Sequence, residues 1–183
     1  MKKHASDWAP EAPTPAQLKE LFAQIESGRI NKSRLQTFLR EKVGRLLFVD
    51  YDISISTLVK EGNYQGVTRE INDRNFQTKR TGQAEMEIKL FYFHVTKKAE
   101  EVIAAMEREG YLPAEFHDLM FFGIQNPEEQ VRYPIAGLGS VWVDVDGTGG
   151  KYAIAISDSR SVTLRCYDGY WGTGYRFLGV RRS

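Results

Sequence analysis

The sequence is poor in cysteine, histidine and proline, and it has no excess charge of either sign. Its one cysteine, Cys166, excludes an intrachain disulfide and a cysteine-rich zinc site. The 25 Lys and Arg residues balance 24 Asp and Glu residues, for a net charge of +1, which argues against a partner bound through many phosphates. No apolar run reaches the length of a membrane span or of an export signal core. We therefore expect no nucleic-acid partner, no membrane insertion and no export signal.

Patterns typical of metal binding and catalysis are missing as well. His4, His94 and His117 are far apart, with no acidic residue at a zinc-ligand spacing. Residues 144–151 (DVDGTGGK) lack the distal Glu of a calcium loop and the Ser or Thr that follows Gly-Lys in a phosphate loop, so they predict a hairpin turn. Cys166 has no neighbouring His or Lys that could activate it. The sequence thus predicts no metal, no cofactor and no enzymatic activity.

The first part of the chain predicts a short leader followed by two helices. Residues 1–13 contain Pro10 and Pro13 and little to bury, which is typical of a flexible leader. Thr14 and Gln17 have the spacing of a capping box, and Gly28 is placed to end the helix, whose apolar stripe is Leu18, Leu21, Phe22 and Ile25. A second helix with Leu35, Phe38 and Leu39 completes a predicted helical hairpin over residues 14–42. A DNA-reading helix-turn-helix is the less favoured interpretation, and a packing or partner-docking element is the favoured one.

Residues 43–183 predict an α+β domain with helices ahead of a C-terminal antiparallel sheet. The 183 residues, 42% of them hydrophobic, suffice for one core. We expect strands over 45–53 and 83–95, a short helix at Leu58, a helix from Thr96 to Gly110 and another after Pro113. Four short strands are expected near residues 141–143, 152–156, 162–164 and 175–180.

The segment at 161–181 (SVTLRCYDGYWGTGYRFLGVR) mixes a strand pattern with the composition of a recognition loop. Val162 and Leu164 alternate with Ser161, Thr163 and Arg165, as in a strand with one buried face. The stretch that follows is rich in Tyr, Gly and hydroxyl residues, which supply rigid contact area and adaptable hydrogen bonds. This composition favours a binding surface.

Three segments resemble parts of a known fold. Residues 110–119 (GYLPAEFHDL), 137–142 (GLGSVW) and 175–181 (YRFLGVR) resemble a helix start, an inner strand and the closing strand of the formylglycine-generating-enzyme type of C-type lectin fold. The resemblance implies a C-type-lectin-like domain over residues 43–183. It does not imply the reaction, because catalysis in the enzyme family depends on a cysteine pair that this chain lacks.

The C-terminus resembles the variable region of diversity-generating retroelements, whose variable proteins share that fold. In these systems template adenines are miscopied, so that an AAC codon can yield Ser, Thr, Arg, Cys, Tyr, Asp or Gly but never Trp. The resemblance implies a variable region at about 160–176, with variable, ligand-binding positions at Ser161, Thr163, Arg165, Cys166, Gly169, Tyr170, Gly172, Thr173 and Gly174. It implies fixed scaffold positions at Val162, Leu164, Tyr167, Asp168, Trp171, Arg176, Phe177 and Leu178.

The resemblance implies a display protein that binds an unknown protein or surface ligand. Such a protein would act in the cytoplasm, or on a phage particle or surface to which another component carries it. Two alternatives stay open. One is a small-ligand binder or enzyme with a pocket near Trp142, Asp168 and Trp171, in which Asp168 is a general base. The other is an adaptor that docks through its N-terminal helices.

Overall fold

The computed structural model describes residues 14–31, 35, 46–145, 147, 149–158 and 160–182. The chain forms two compact units, Met1–Gly44 and Arg45–Ser183. The predicted leader, residues 1–13, and all of the predicted second helix except Leu35 lie outside the described residues.

In the first unit, helix α1 (Pro15–Glu26) begins as its capping box predicts. The Thr14 backbone N–H donates to Gln17 Oε1 at 2.8 Å, and the Gln17 N–H donates to Thr14 Oγ1 at 3.3 Å. The helix ends before Gly28, whose φ of 73° is one that glycine adopts without strain. No residue of α1 is buried, and its apolar side chains, Leu18, Leu21, Phe22 and Ile25, are all exposed.

The described part of the second unit contains four helices and ten strands. The helices are α2 (Ile55–Glu61), α3 (Ala99–Arg108), α4 (Phe116–Gln125) and α5 (Pro127–Arg132). The strands are β1 (Leu46–Asp50), β2 (Gly66–Val67), β3 (Gln83–Phe91), β4 (Lys97–Lys98), β5 (Leu112–Pro113), β6 (Ile135–Val143), β7 (Lys151–Ser157), β8 (Ser161–Cys166), β9 (Tyr170–Trp171) and β10 (Arg176–Arg182). The α+β prediction is confirmed. No described helix is both long and apolar enough to span a bilayer.

The main sheet has the order β1-β3-β10-β6-β7-β8-β2, and β5 also pairs with β10. The expectation of an antiparallel C-terminal sheet holds for most pairs, but β10 runs parallel to β6 and β2 runs parallel to β8. The sheet is also not confined to the second half of the chain, because β1 and β3 belong to it. These differences arise from two long-range pairings that local periodicity does not encode. Strand β10 inserts between β3 and β6, and β2 adds to β8 at the edge of the sheet.

Two hydrophobic clusters cover opposite faces of this sheet. In β7, Ile154 and Ile156 belong to the first cluster, whereas Ala153 and Ala155 belong to the second. Alternate residues of a strand point to opposite faces, so each cluster lies on one face. Residues of α2 and α4 contribute to the first cluster, and residues of α3 contribute to the second.

The expected helix start at Thr96 is wrong, because α3 begins at Ala99. Lys97 and Lys98 are instead paired with β9 as strand β4. The Glu101 side chain caps the helix by accepting a hydrogen bond from the Lys98 N–H at 2.9 Å. The acceptor that satisfies the first turn therefore comes from within the helix and not from the preceding threonine.

Strand β1 lies at one edge of the sheet, and a side chain binds the outward-facing backbone groups of its residue Phe48. Gln125 Nε2 donates to the Phe48 carbonyl at 2.6 Å, and the Phe48 N–H donates to Gln125 Oε1 at 3.4 Å. The amide of Gln125 thus takes the place that a peptide group of a further strand would occupy.

Candidate functional site

The C-terminal segment contains both buried and exposed residues. Val162, Trp171 and Phe177 are buried, with 0%, 3% and 2% of their surfaces exposed. The exposed candidate positions are Arg165, Cys166, Tyr170, Gly172, Thr173 and Gly174, and the half-buried ones are Ser161, Thr163 and Gly169. The solvent-facing part of the candidate set is therefore concentrated at the end of β8, in β9 and in the turn after β9.

The strand register divides the candidate residues between two faces. Arg165 pairs with Ala153 of the second cluster, and Cys166 pairs with Tyr152, one position away in β7. Neighbouring residues of a strand point to opposite faces, so Arg165 and Cys166 lie on different faces of the sheet. Thr163 shares the face of Arg165. The candidate positions of β8 do not form one continuous surface, and Cys166 stands apart from Thr163 and Arg165.

Ser161 is held in a close strand contact. Its Oγ lies 2.8 Å from the Oγ of Ser157, and it is in register with Gly66 of β2. A Cβ placed on Gly66 would lie 3.3 Å from the Cβ of Ser161. This packing leaves less room for a large side chain at Ser161 than at the exposed positions.

Trp171 is the buried support of the exposed loop. Its ring lies perpendicular to that of Tyr175, with centroids 5.1 Å apart, and 5.6 Å from the ring of Phe177. The pairing of β9 with β4 places Trp171 opposite Lys97 and Tyr170 opposite Lys98. Trp171 thus anchors β9 in the second cluster, while 73% of the Tyr170 surface remains exposed.

Cationic side chains lie over several aromatic rings of this surface. Lys98 Nζ is 5.6 Å from the centroid of Tyr170, and the Arg165 guanidinium is 5.9 Å from that of Tyr175. Arg176 lies 4.8 Å from the centroid of Tyr92 and 4.0 Å from that of Tyr133. We call Lys98, Arg165, Tyr170, Trp171 and Tyr175 the C-terminal aromatic surface.

The remaining scaffold positions differ in their burial. Leu178 is buried, whereas Leu164 and Tyr167 are half-buried and pack against the first and second clusters respectively. Asp168 is exposed, and its Oδ1 lies 4.0 Å from Lys151 Nζ. Burial raises the pKa of the Tyr167 hydroxyl, and the charges of Glu100 and Asp168 add to the shift.

Trp142, Asp168 and Trp171, the residues of the alternative pocket, occupy different surroundings. Trp142 lies against Tyr152, with ring centroids 5.6 Å apart, and packs on the first cluster. Trp171 belongs to the second cluster on the opposite face. Trp142 and Trp171 therefore do not line one common pocket, as the alternative requires.

The second unit also contains a buried polar network that the sequence did not predict. Asp118 of α4 is 0% exposed and accepts hydrogen bonds from the Tyr51 hydroxyl at 2.6 Å and from the Glu115 N–H at 2.8 Å. Arg80 Nη1 donates to the Tyr51 hydroxyl oxygen at 2.6 Å and lies 3.5 Å from Asp118 Oδ2, while its Nε lies 3.3 Å from Glu115 Oε1. The one available signal was Asp118 itself, a carboxylate among the apolar residues of a helix.

Burial dominates the electrostatics of this network. Loss of solvent raises the pKa of the Asp118 carboxyl, against the lowering effects of its hydrogen bonds and of Arg80. Burial also raises the pKa of the Tyr51 hydroxyl, and the neighbouring Asp118 adds to the shift. The network ties the connection between β2 and β3, which carries Arg80, to the start of α4.

A cavity of about 380 Å³ lies between the turn at residues 51–54 and the connection at residues 73–78. His117, which is 4% exposed, contributes to its lining. His117 Nε2 lies 3.0 Å from the Ile53 carbonyl, so this nitrogen is the donor, and Nδ1 is left without a partner among the described residues. The other wall includes Asp73 and Phe76.

Within the described ranges, no group of three or more His, Cys, Asp and Glu residues is arranged to hold a metal ion. Comparison of the chain with protein-family models, with curated proteins and with solved structures finds no match.

Proposed function

We propose that this chain is a ligand-binding display protein of the diversity-generating retroelement type, in which the C-terminal surface recognises a macromolecular target. The domain that carries this surface is a C-type-lectin-like domain, and its mechanism is binding without catalysis. Tyr170 is the central contact residue, because a large exposed aromatic side chain supplies rigid contact area.

One observation supports the proposal above the others. Within a short segment, the exposed candidates Arg165, Tyr170 and Thr173 are interleaved with the buried Trp171 and Phe177. An exposed residue can change without loss of packing, whereas a buried aromatic residue cannot. The segment therefore combines replaceable contact positions with a fixed support, as a diversified binding surface requires.

The genetic part of the proposal is tested at the locus. We expect a reverse-transcriptase gene near the coding sequence, and a near-copy of the segment encoding residues 160–176 that differs at template adenines. Trp171 should be unchanged between the copies. A locus with neither feature rejects the retroelement mechanism and leaves the binding surface to be tested by itself.

The binding part is tested with a library in which Arg165, Tyr170 and Thr173 are randomised together. A matched library randomises Lys60, Glu61 and Arg74, exposed residues outside the C-terminal aromatic surface. Selection against a panel of unrelated proteins should enrich binders from the first library, with melting temperatures close to that of the parent. Equal enrichment from both libraries would contradict a dedicated C-terminal site.

A second candidate function is small-ligand binding in the cavity beside His117. The observation that favours it is the polar part of the cavity lining, which includes Ser54, Asp73 and Gln77. In an NMR screen of a fragment library, bound fragments should shift the resonances of His117 and Asp73. These shifts should vanish in Gln77→Trp, which puts a large side chain at an exposed position of the lining. Fragments that shift only residues outside this cavity reject the candidate.

A further inference from the structure

Two cations of the C-terminal aromatic surface lie over exposed or half-buried rings and outside the ion pairs of the described residues. Among the described residues, neither Lys98 nor Arg165 forms an ion pair. Lys98 lies over Tyr170 and Arg165 over Tyr175, and both cations are exposed. Contact with a ring restrains a flexible cationic side chain while leaving its N–H groups open to solvent.

Two carboxylates near these cations are already engaged. Glu101 accepts hydrogen bonds from Lys97 Nζ at 3.2 Å and from the backbone N–H of Lys98 at 2.9 Å. Asp168 lies at ion-pair distance from Lys151. The surface thus has two positive groups outside ion pairs, Lys98 over Tyr170 and Arg165 over Tyr175, and the ring of Tyr175 also contacts that of Trp171.

We propose that the C-terminal aromatic surface selects acidic protein segments, in which two carboxylates bind Lys98 and Arg165 while an apolar or aromatic side chain packs on Tyr170. The proposal rests on the proposed function and specifies its class of target. The guanidinium of Arg165 matches a carboxylate with two parallel hydrogen bonds, and Lys98 supplies a point charge. Complementary charge also fixes the orientation of the bound segment and speeds encounter.

The charge distribution favours a protein segment over a nucleic acid. Nucleic-acid binding relies on many phosphate contacts, whereas this surface offers two cations without partners and the chain has a net charge of +1. A short segment with two acidic residues uses both cations and leaves no further negative charge unpaired.

The experiment is a selection from a random linear-peptide library on the immobilised full chain. Enriched peptides are then titrated against the parent, against Lys98→Met, Arg165→Met and Tyr170→Ala, and against the controls Lys60→Met and Arg74→Met. We expect enrichment of Asp and Glu over the input library, and about a tenfold loss of affinity for each of Lys98→Met and Arg165→Met. The controls should bind as the parent does, and added salt should weaken binding.

The outcomes separate the two proposals. Enriched peptides that depend on Tyr170 but carry no excess of acidic residues overturn the acidic-segment proposal and leave the proposed function standing. Peptides unaffected by Tyr170→Ala, Lys98→Met and Arg165→Met overturn both. Binding of a single-stranded oligonucleotide, with no acidic peptide enriched, overturns the protein-segment proposal in favour of a phosphate polymer. Melting temperatures of all variants distinguish lost contacts from lost folding.

Discussion

Tyr170 and Trp171 are consecutive residues of β9, yet 73% of the surface of Tyr170 is exposed and only 3% of that of Trp171. Within one short strand, Trp171 therefore packs in the core while Tyr170 faces solvent. Trp171→Ala should lower the free energy of unfolding by about 3–5 kcal/mol, because it leaves a cavity among aromatic rings. Tyr170→Ala should change it by no more than about 0.5 kcal/mol. Denaturant melts of both variants check this, and similar losses would show that Tyr170 is structural.

The Arg80–Asp118 contact predicts that loss of Arg80 destabilises the fold much more than loss of an exposed cation. Arg80→Met leaves the fully buried Asp118 carboxylate without its cation, and should lower the free energy of unfolding by about 3 kcal/mol. The double variant Arg80→Met with Asp118→Asn should recover part of the loss, because the remaining group is neutral. Lys89→Met is the control, since it removes an exposed ion pair with Glu109 and should cost at most about 1 kcal/mol. Equal costs for Arg80→Met and Lys89→Met would show that the network contributes little.

The hydrogen bonds of the Gln125 amide predict that their loss increases self-association of the chain. Gln125→Ala frees the N–H and carbonyl of Phe48 on the edge strand. Phe48 is itself 59% exposed. We expect folding stability to change by only about 1 kcal/mol, while the tendency to self-associate increases. Light scattering at rising protein concentration measures this. Gln77→Ala, an exposed glutamine in the connection between β2 and β3, is the control, and equal scattering of both variants contradicts the prediction.

Tyr64 predicts a loss of stability at alkaline pH. Burial raises the pKa of its hydroxyl to about 12, and the hydroxyl donates to Gln130 Oε1 at 3.0 Å. The unfolded chain loses this proton near its usual pKa of about 10, whereas the folded chain keeps it, so the unfolded state binds fewer protons in this range. The contribution is therefore complete below about pH 10 and is lost as the pH rises towards 12. Urea melts across this range should show a shallower pH dependence for Tyr64→Phe, and an unchanged slope would contradict the assignment.

Local features of the fold could be predicted because their causes are local. Thr14 and Gln17 cap a helix through neighbouring backbone groups, and the alternation that begins at Val162 follows from the two-residue period of a strand. The pairing of β4 with β9 could not be predicted in this way. Each has two residues, too few for a period, and each adjoins or contains a residue of the second cluster, Ala99 after β4 and Trp171 in β9.

The candidate site, too, could be predicted from the sequence only in its local features. The sequence predicts Tyr170 as a recognition residue and Trp171 as a scaffold residue, but it does not show that Lys98, far away in sequence, lies over the Tyr170 ring. It also does not separate Arg165 from Cys166, because the face of each depends on the register with β7. The contact between Asp118 and Arg80 could not be predicted for a related reason, since it joins a loop to a helix across many intervening residues.

The place of β10 in the sheet has a consequence for protein synthesis. Strand β10 lies between β3 and β6, so the centre of the sheet cannot close until residues 176–182 have left the ribosome. If the segment upstream is rewritten as we propose, a copying error that shifts the reading frame also removes this central strand. The faulty product then exposes unpaired strand edges and is open to proteolysis before it can bind anything. Translation and folding together would discard out-of-frame copies and keep only those in which the binding loop is followed by an intact strand.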